Sequence, residues 1–140
     1  MKKTIKMLLA LPVIFLSGCA VDKNYQDFLH LQGVEKRVSG RWEALVKHDH
    51  QKAYEFLTGS YRDMVSQDDY IKSLNPRIVW DGFDIIRSRC EEQVCKVNVE
   101  ARYHIPPMFG LPQGTSATEI IKETWMFDGS NWYYLPSMKK

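Results

Sequence analysis

The amino-acid sequence predicts an α+β domain in which three N-terminal helices pack on an antiparallel sheet of about four strands. The first observation is that apolar residues recur at helical spacing in the N-terminal half of the chain. The second is that, from Arg77 onward, apolar and polar residues alternate as they do in half-buried strands. Helices followed by consecutive antiparallel strands are typical of the α+β class.

The first predicted helix is marked by apolar residues at positions i, i+4, i+8, i+11 and i+12, which lie on one helical face. These residues are Val34, Val38, Trp42, Leu45 and Val46. Asp49 is placed to cap the second helix, and the Thr-Gly-Ser sequence at 58–60 is expected to end it. The third helix is predicted from about 67 to 74, with Ser66 as its N-cap and Asn75-Pro76 after its last turn.

The clearest predicted strand has apolar residues at every second position. These residues are Cys95, Val97, Val99, Ala101, Tyr103 and Ile105. Residues 78–89 are its predicted hairpin partner, with a bulge at Gly82. Residues 118–127 and 132–135 are predicted as two further strands, joined by a turn that begins at Asp128-Gly129.

The N-terminal segment has the features of a secretory signal. The basic residues of MKKTIK precede an apolar run from Met7 to Leu16, and this run is shorter than the roughly 20 residues that span a bilayer. The sequence Leu16-Ser17-Gly18-Cys19 resembles the lipobox of bacterial lipoproteins, which implies that Cys19 is acylated and becomes the first mature residue. An ordinary signal peptide, or a buried N-terminal helix that ends in cysteine, is the alternative.

This resemblance also implies a location and a domain organisation. Ala20, rather than an aspartate, follows the lipidated cysteine, which by similarity to lipoprotein sorting favours the outer membrane. Residues 1–18 are then the lipoprotein signal peptide, 19–32 the lipidated N-terminus and tether, and 33–140 a single α+β domain. Several acyl chains hold a protein firmly at a membrane, so we expect the domain to face the periplasm, bound to the membrane through its lipid anchor.

The charge of the chain changes when the signal peptide is set aside. The full sequence has 19 basic and 17 acidic residues. Residues 1–18 contain three lysines and no acidic residue, so 16 basic and 17 acidic residues remain. Binding to nucleic acid requires a basic stripe or patch, and we therefore exclude nucleic acid as a partner.

Cys90 and Cys95 remain as an even pair once Cys19 is assigned to lipid. An exported protein meets an oxidising environment in which such a pair closes. Residues 91–94 are predicted as a hairpin loop, so the two sulfurs would face each other across neighbouring strands. A zinc site is the competing interpretation, but the sequence offers no second pair of ligands with suitable spacing. We predict a structural disulfide.

Two segments resemble the nuclear transport factor 2-like fold, also called the ketosteroid isomerase or SnoaL-like cone. RWEALVKHDHQKAYEFLTGSYRD, at 41–63, is similar to the first two helices of that fold, and ETWMFDGSNWYYLP, at 123–136, is similar to its closing hairpin. The resemblance covers about residues 33–136 and implies a strongly twisted sheet whose concave face, covered by helices, forms a conical pocket. Another small α+β sheet, such as a cystatin-like one, is the alternative.

The cone implies an apolar pocket with a few polar groups. Its candidate lining residues are Trp42, Tyr54, Val97, Val99, Tyr103 and Trp125. The competing interpretation is that these side chains fill the core. Enzymes of this family place an acid or base inside the cone, and the weak candidates here are Asp84 as base and Tyr103 as proton donor, although Asp84 is also consistent with a solvent-facing position.

Neither a metal nor a cofactor is expected. His48-Asp49-His50 invites a metal-site interpretation, but two histidines at i and i+2 do not share a helical face, and a capped helix junction explains the segment better. The chain has no catalytic serine motif and no phosphate-binding glycine loop. Catalysis is therefore the minority interpretation.

A proline-stiffened apolar loop follows the strand that contains Cys95 and Ile105. Its candidate partner-binding residues are Pro107, Met108, Phe109 and Leu111. Such a loop loses little entropy when it docks, and exposed methionine and phenylalanine side chains would form a patch typical of protein contacts. The alternative is that the loop packs on its own sheet.

We predict a non-catalytic binding domain that engages an envelope protein. By resemblance a homodimer is also expected, and binding or conversion of an apolar small molecule in the cone is the second hypothesis.

Overall fold

The computed structural model describes residues 23–108 and 113–137. Its elements are α1 (Lys23–Val46), α2 (His50–Glu55), α3 (Gly59–Met64), α4 (Gln67–Ser73), β1 (Val79–Glu91), β2 (Val94–Ile105), β3 (Thr115–Phe127) and β4 (Trp132–Leu135). The strands form one antiparallel sheet in the order β1-β2-β3-β4. The predicted α+β class with a four-stranded antiparallel sheet is confirmed.

Some predictions fall outside the described part of the chain. The predicted signal peptide at 1–18 and the predicted lipidation site Cys19 lie there, as do Phe109 and Leu111 of the proline loop. Among residues 23–108 and 113–137, no helix is both long and apolar enough to span a membrane.

The helices differ from the prediction at two places. Helix α1 begins at Lys23, so residues 23–32, predicted as a tether, are helical. This segment contains no glycine or proline, and the His30 ring packs against the rings of Phe127 and Trp132, with centroids 5.4 and 5.7 Å away. The short helix α3 occupies residues 59–64, where only a stop was predicted.

The helix caps are those that the sequence predicts. Asp49 Oδ1 accepts a hydrogen bond of 2.9 Å from the backbone N–H of Lys52, and the Ser66 hydroxyl accepts one of 3.2 Å from Asp69. His48 has a φ of 59° and turns the chain between α1 and α2. The segment His48-Asp49-His50 is therefore a capped helix junction.

The core lies between α1 and the inner face of the sheet. On α1 the residues Val34, Val38, Trp42 and Leu45 are buried, and on β2 every second residue from Cys95 to Ala101 is fully buried. Gly40, inside α1, is close to Phe56 of the α2 C-terminus, and a Cβ there would lie 2.9 Å from the Phe56 ring. The glycine thus permits the close approach of the two helices despite its low helix propensity.

The β1–β2 hairpin is bulged and cross-linked. Register irregularities lie between Trp80 and Gly82, where the bulge was predicted, and between Ile85 and Arg87. Cys90 pairs directly with Cys95 in the register, and their sulfurs are at disulfide-bonding distance. The predicted pairing of the two cysteines across the hairpin is confirmed.

Candidate functional site

Most of the predicted cone-lining residues form the solid core. Trp42, Val97, Val99 and Trp125 are buried and belong to one hydrophobic cluster. Tyr103 is half-buried, and its ring lies 5.5 Å from the Trp80 ring. These residues therefore fill the core, which was the alternative to a pocket lining.

Tyr54 lies apart from the other predicted lining residues. Its hydroxyl donates a hydrogen bond of 2.7 Å to the backbone oxygen of Val65, and its ring lies 5.6 Å from the Tyr70 ring. Tyr54 thus fastens the end of α3 to α2.

The two weak catalytic candidates lie on opposite faces of the sheet. Asp84 pairs in the register with Glu100, is exposed, and forms an ion pair with Arg102. Tyr103 lies on the inner face, because it continues the alternation of Val99 and Ala101. Asp84 therefore does not reach the proton donor proposed for it.

A buried carboxylate, which the sequence analysis did not identify, joins α1 to the sheet. Glu123 on β3 lies opposite Val97, and its side chain is fully buried. It accepts hydrogen bonds from Arg41 Nη1 at 2.6 Å, from Trp42 Nε1 at 3.0 Å and from Trp125 Nε1 at 2.8 Å. The indole nitrogens of both predicted tryptophans are thus satisfied by one carboxylate.

Arg41 is held by this carboxylate and by an aromatic ring. Its guanidinium carbon lies 4.1 Å from the centroid of the Tyr134 ring. Burial lowers the pKa of Arg41, but the opposing effect of the Glu123 carboxylate, with smaller contributions from tyrosines 70 and 134, raises the pKa above its ordinary value. Arg41 therefore carries a fixed positive charge inside the protein.

A cavity of about 400 Å³ opens beside Arg41, and we call it the Arg41 cavity. It lies between α1, α3, α4 and the end of β4. Its lining side chains include Arg41, Tyr61, Tyr70, Ser73, Leu74 and Tyr134. Arg41 Nε and the Tyr70 hydroxyl are shielded from solvent and, within residues 23–108 and 113–137, have no partner at hydrogen-bonding distance and angle, so both atoms lie behind the surface of the cavity.

A second depression, of about 660 Å³, lies between the N-terminal half of α1 and the β3–β4 hairpin, and we call it the α1 groove. Phe56, Phe127 and Trp132 form its aromatic part, and Lys36 and Arg37 add positive charge. Burial lowers the pKa of Arg37, which Tyr133 and Asp128 partly oppose.

Arg37 contacts two of the aromatic residues that line the α1 groove, and exposed apolar residues lie beside them. Arg37 Nε donates a hydrogen bond of 2.9 Å to the backbone oxygen of Trp132, and its guanidinium lies 4.3 Å from the Phe56 centroid. Leu29 lines the groove, and both Leu29 and the preceding Phe28 are exposed. Pro107 and Met108 of the predicted partner loop are exposed as well, elsewhere on the surface.

The histidines do not converge with other metal ligands. His104 Nδ1 lies 2.8 Å from a carboxylate oxygen of Asp81, and the rings of His48 and His50 lie 6.1 Å apart. In the described ranges, no three His, Cys, Asp or Glu side chains are grouped so that they could hold a metal ion.

Comparisons with known proteins bear on the fold. No protein-family model matches the chain, and no curated protein sequence matches it. Among solved structures, the chain is similar to the solution structure of a SEC-C motif containing protein from Rhodopseudomonas palustris. The TM-score is 0.55 at 14% identity, over 71% of this chain and 73% of that chain. At this identity the similarity supports the α+β arrangement and carries no information about function.

Proposed function

We propose that this protein is a lipoprotein of the bacterial cell envelope whose cone-shaped, nuclear transport factor 2-like domain binds another envelope protein on the periplasmic side. The lipobox-like sequence Leu16-Ser17-Gly18-Cys19 supports acylation of Cys19, and Ala20 supports the outer membrane as its destination. The order of the chain, with helices before a four-stranded antiparallel sheet, is compatible with the cone.

The observation that carries the partner-binding proposal is the α1 groove. Exposed apolar side chains on a protein surface mark interaction sites when they are grouped, and the exposed Leu29 lines the groove, with the exposed Phe28 preceding it on α1. The aromatic side chains of the groove resemble the composition of interface cores, which are enriched in tryptophan, phenylalanine and arginine. An apolar segment of the partner would fill the groove.

The positive charge of the groove indicates which charges the partner segment carries. Lys36 and Arg37 line it, and a basic rim attracts a complementary acidic surface and excludes a basic one. We therefore expect the partner segment to combine apolar anchors with aspartate or glutamate residues.

We favour a binding function over a catalytic one for two reasons. The core beneath the helices is filled with side chains, and Asp84 and Tyr103 lie on opposite faces of the sheet.

Site-specific photo-crosslinking in cells tests this proposal. A photo-reactive phenylalanine analogue replaces Phe28 in the full chain, and a matched analogue replaces Lys122, which is exposed on β3. We expect an adduct with one envelope protein from position 28, in the membrane fraction, and a several-fold lower yield from position 122. The Cys19→Ala chain should leave the membrane fraction.

Charge reversal at the groove gives the second arm of this experiment. Lys36→Glu should reduce the yield of the adduct several-fold, because it repels an acidic partner, whereas Lys47→Glu, at an exposed position after α1, should not. Equal yields from positions 28 and 122, or an adduct insensitive to Lys36→Glu, would overturn the α1 groove as the partner site.

A further inference from the structure

We propose that the end of the domain where α1 begins lies on the surface of the membrane, with the side chains of Val94 and Met126 in contact with lipid. This inference rests on the acylation of Cys19, which is part of the proposed function. It concerns the outer face of the sheet, whereas the α1 groove lies beside the helix on the other face.

The chain between the proposed lipid anchor and the domain is short. Helix α1 begins at Lys23, so three residues separate it from Cys19. The chain from Cys19 to Lys23 spans at most about 14 Å, even when it is fully extended. With Cys19 acylated, the first turn of α1 is therefore held close to the lipid headgroups.

Both hairpin turns lie at the same end of the domain as the first turns of α1. The His30 ring on α1 packs against the ring of Phe127, the last residue of β3, with centroids 5.4 Å apart. The backbone N–H of Phe127 donates a hydrogen bond of 2.9 Å to the oxygen of Gln93 in the β1–β2 turn. We call the turns at 92–93 and 128–131, together with the first turns of α1, the anchor-side end.

Two exposed apolar side chains lie next to each other at the anchor-side end. Val94 is opposite Met126 in the register of β2 and β3. Both side chains face away from the helices, because their neighbours Cys95 and Trp125 are buried in the core. Val94 is 36% and Met126 is 40% exposed. Burial of these side chains in the boundary between headgroups and acyl chains removes apolar surface from water.

The charged side chains around Val94 balance one another. Arg89, Lys96, Glu91 and Glu92 line one surface depression with Val94, so two positive and two negative charges surround it. A zwitterionic headgroup also carries one charge of each sign and offers each of these side chains a complementary group. Attraction to anionic lipid requires a cluster of basic residues. We therefore expect this end to contact a zwitterionic membrane without the help of anionic lipid.

Quenching of a fluorescent label by lipid tests the proposal. Met126→Cys is introduced in the full chain, which is purified in its acylated form and reconstituted in phosphatidylcholine vesicles. Cys19 is acylated in that chain and Cys90 is joined to Cys95, so the environment-sensitive dye NBD reacts only with the new thiol. We expect spin-labelled phosphatidylcholine to quench the NBD fluorescence several-fold.

Ile120→Cys is the matched control. Ile120 is exposed, apolar and on the same face of β3 as Met126, and six residue steps along the strand separate the two by about 20 Å. The label at position 120 should be quenched little. In a second arm, Val94→Glu should reduce the quenching of the label at position 126 several-fold, because a carboxylate is costly to remove from water. Ile120→Glu should leave that quenching unchanged.

The possible outcomes separate this inference from the lipoprotein proposal. In an acylated chain, equal quenching at positions 126 and 120, quenching at neither position, or quenching that Val94→Glu does not change would overturn the membrane contact alone. A label at position 126 that lipid does not quench but that is shielded from iodide would show that a protein covers this surface instead. A chain whose mass shows no acyl group would overturn the lipoprotein proposal and this inference together.

Discussion

The two faces of the sheet each carry an arginine–carboxylate ion pair, and the two pairs differ in burial. On the inner face, the side chains of Arg41 and Glu123 are 8% and 0% exposed. On the outer face, the side chains of Arg102 and Asp84 are 45% and 64% exposed. The chemical groups are the same, so the comparison isolates the effect of solvent.

Burial changes how many partners each carboxylate requires. Glu123 accepts hydrogen bonds from the guanidinium of Arg41 and from two indole nitrogens, because water does not reach it. Asp84 accepts one from Arg102, and solvent supplies the remainder. A buried charge without its partner is costly, whereas an exposed pair is screened and contributes little.

The difference also assigns different tasks to the two pairs. Glu123 fixes the position of Arg41 on α1 relative to β3, and the Tyr134 ring stacks on the same guanidinium. The orientation of the Arg41 cavity therefore depends on the inner pair. The outer pair joins neighbouring strands β1 and β2, which already pair along their lengths, so it adds no connection that the sheet lacks.

The largest expected effect comes from Glu123→Gln. The change is nearly isosteric, but it removes the charge that compensates Arg41 and replaces one of the two acceptor oxygens, which serve Trp42 and Trp125 separately, by an NH2 group that can only donate. Loss of one partner of a buried ion pair costs about 3–5 kcal/mol. We expect this loss in the free energy of unfolding, measured by urea denaturation.

Glu119→Gln is the matched control on the same strand. Glu119 is exposed on β3 and lies opposite Ala101 in the register. The same chemical change there should leave the denaturation midpoint where it is. A loss below about 1 kcal/mol for Glu123→Gln would show that the inner pair behaves as a surface pair does, and the contrast between the two faces would fail.

The sequence predicts the fold better than it predicts the charged residues of the inner face. The strands, the helix caps at Asp49 and Ser66, and the Cys90–Cys95 pairing follow from local patterns. Local periodicity determines which face a residue occupies, but not which residue of another element lies against it. The additional N-terminal turns of α1 were missed because their packing partner, the β3–β4 hairpin, lies far along the chain.

The Glu123–Arg41 network was missed although the sequence contains a usable pattern. Glu123 shares the parity of Ile121 and Trp125 on β3, so an inward Trp125 implies an inward Glu123. Trp125 was a predicted lining residue, but the same parity was not applied to Glu123, and Arg41 was assigned no role. The partner of a buried carboxylate lies 82 positions away in sequence, and no local rule identifies it.

A smaller effect is expected from reduction of the Cys90–Cys95 disulfide. It links β1 to β2 close to the turn of the hairpin that also carries Asp84 and Arg102. Closure of so short a loop stabilises the fold by about 2 kcal/mol in the chain-entropy account. Reduction of the chain with dithiothreitol should lower the free energy of unfolding by that amount. The Cys90→Ala/Cys95→Ala chain should not respond to the reductant, and an equal response would show that the reductant acts elsewhere.

The smallest effect is expected from the outer pair itself. In a double-mutant cycle, Asp84→Asn and Arg102→Gln are made singly and together, and unfolding is followed in urea at low and at high salt. Both side chains are exposed, so water replaces each lost partner and salt screens the attraction that remains. We expect the four denaturation midpoints to coincide within the reproducibility of the measurement at high salt. A coupling between the two sites that persists in high salt would mean that the outer face is shielded from solvent, as it would be if a second copy of the chain covered the sheet.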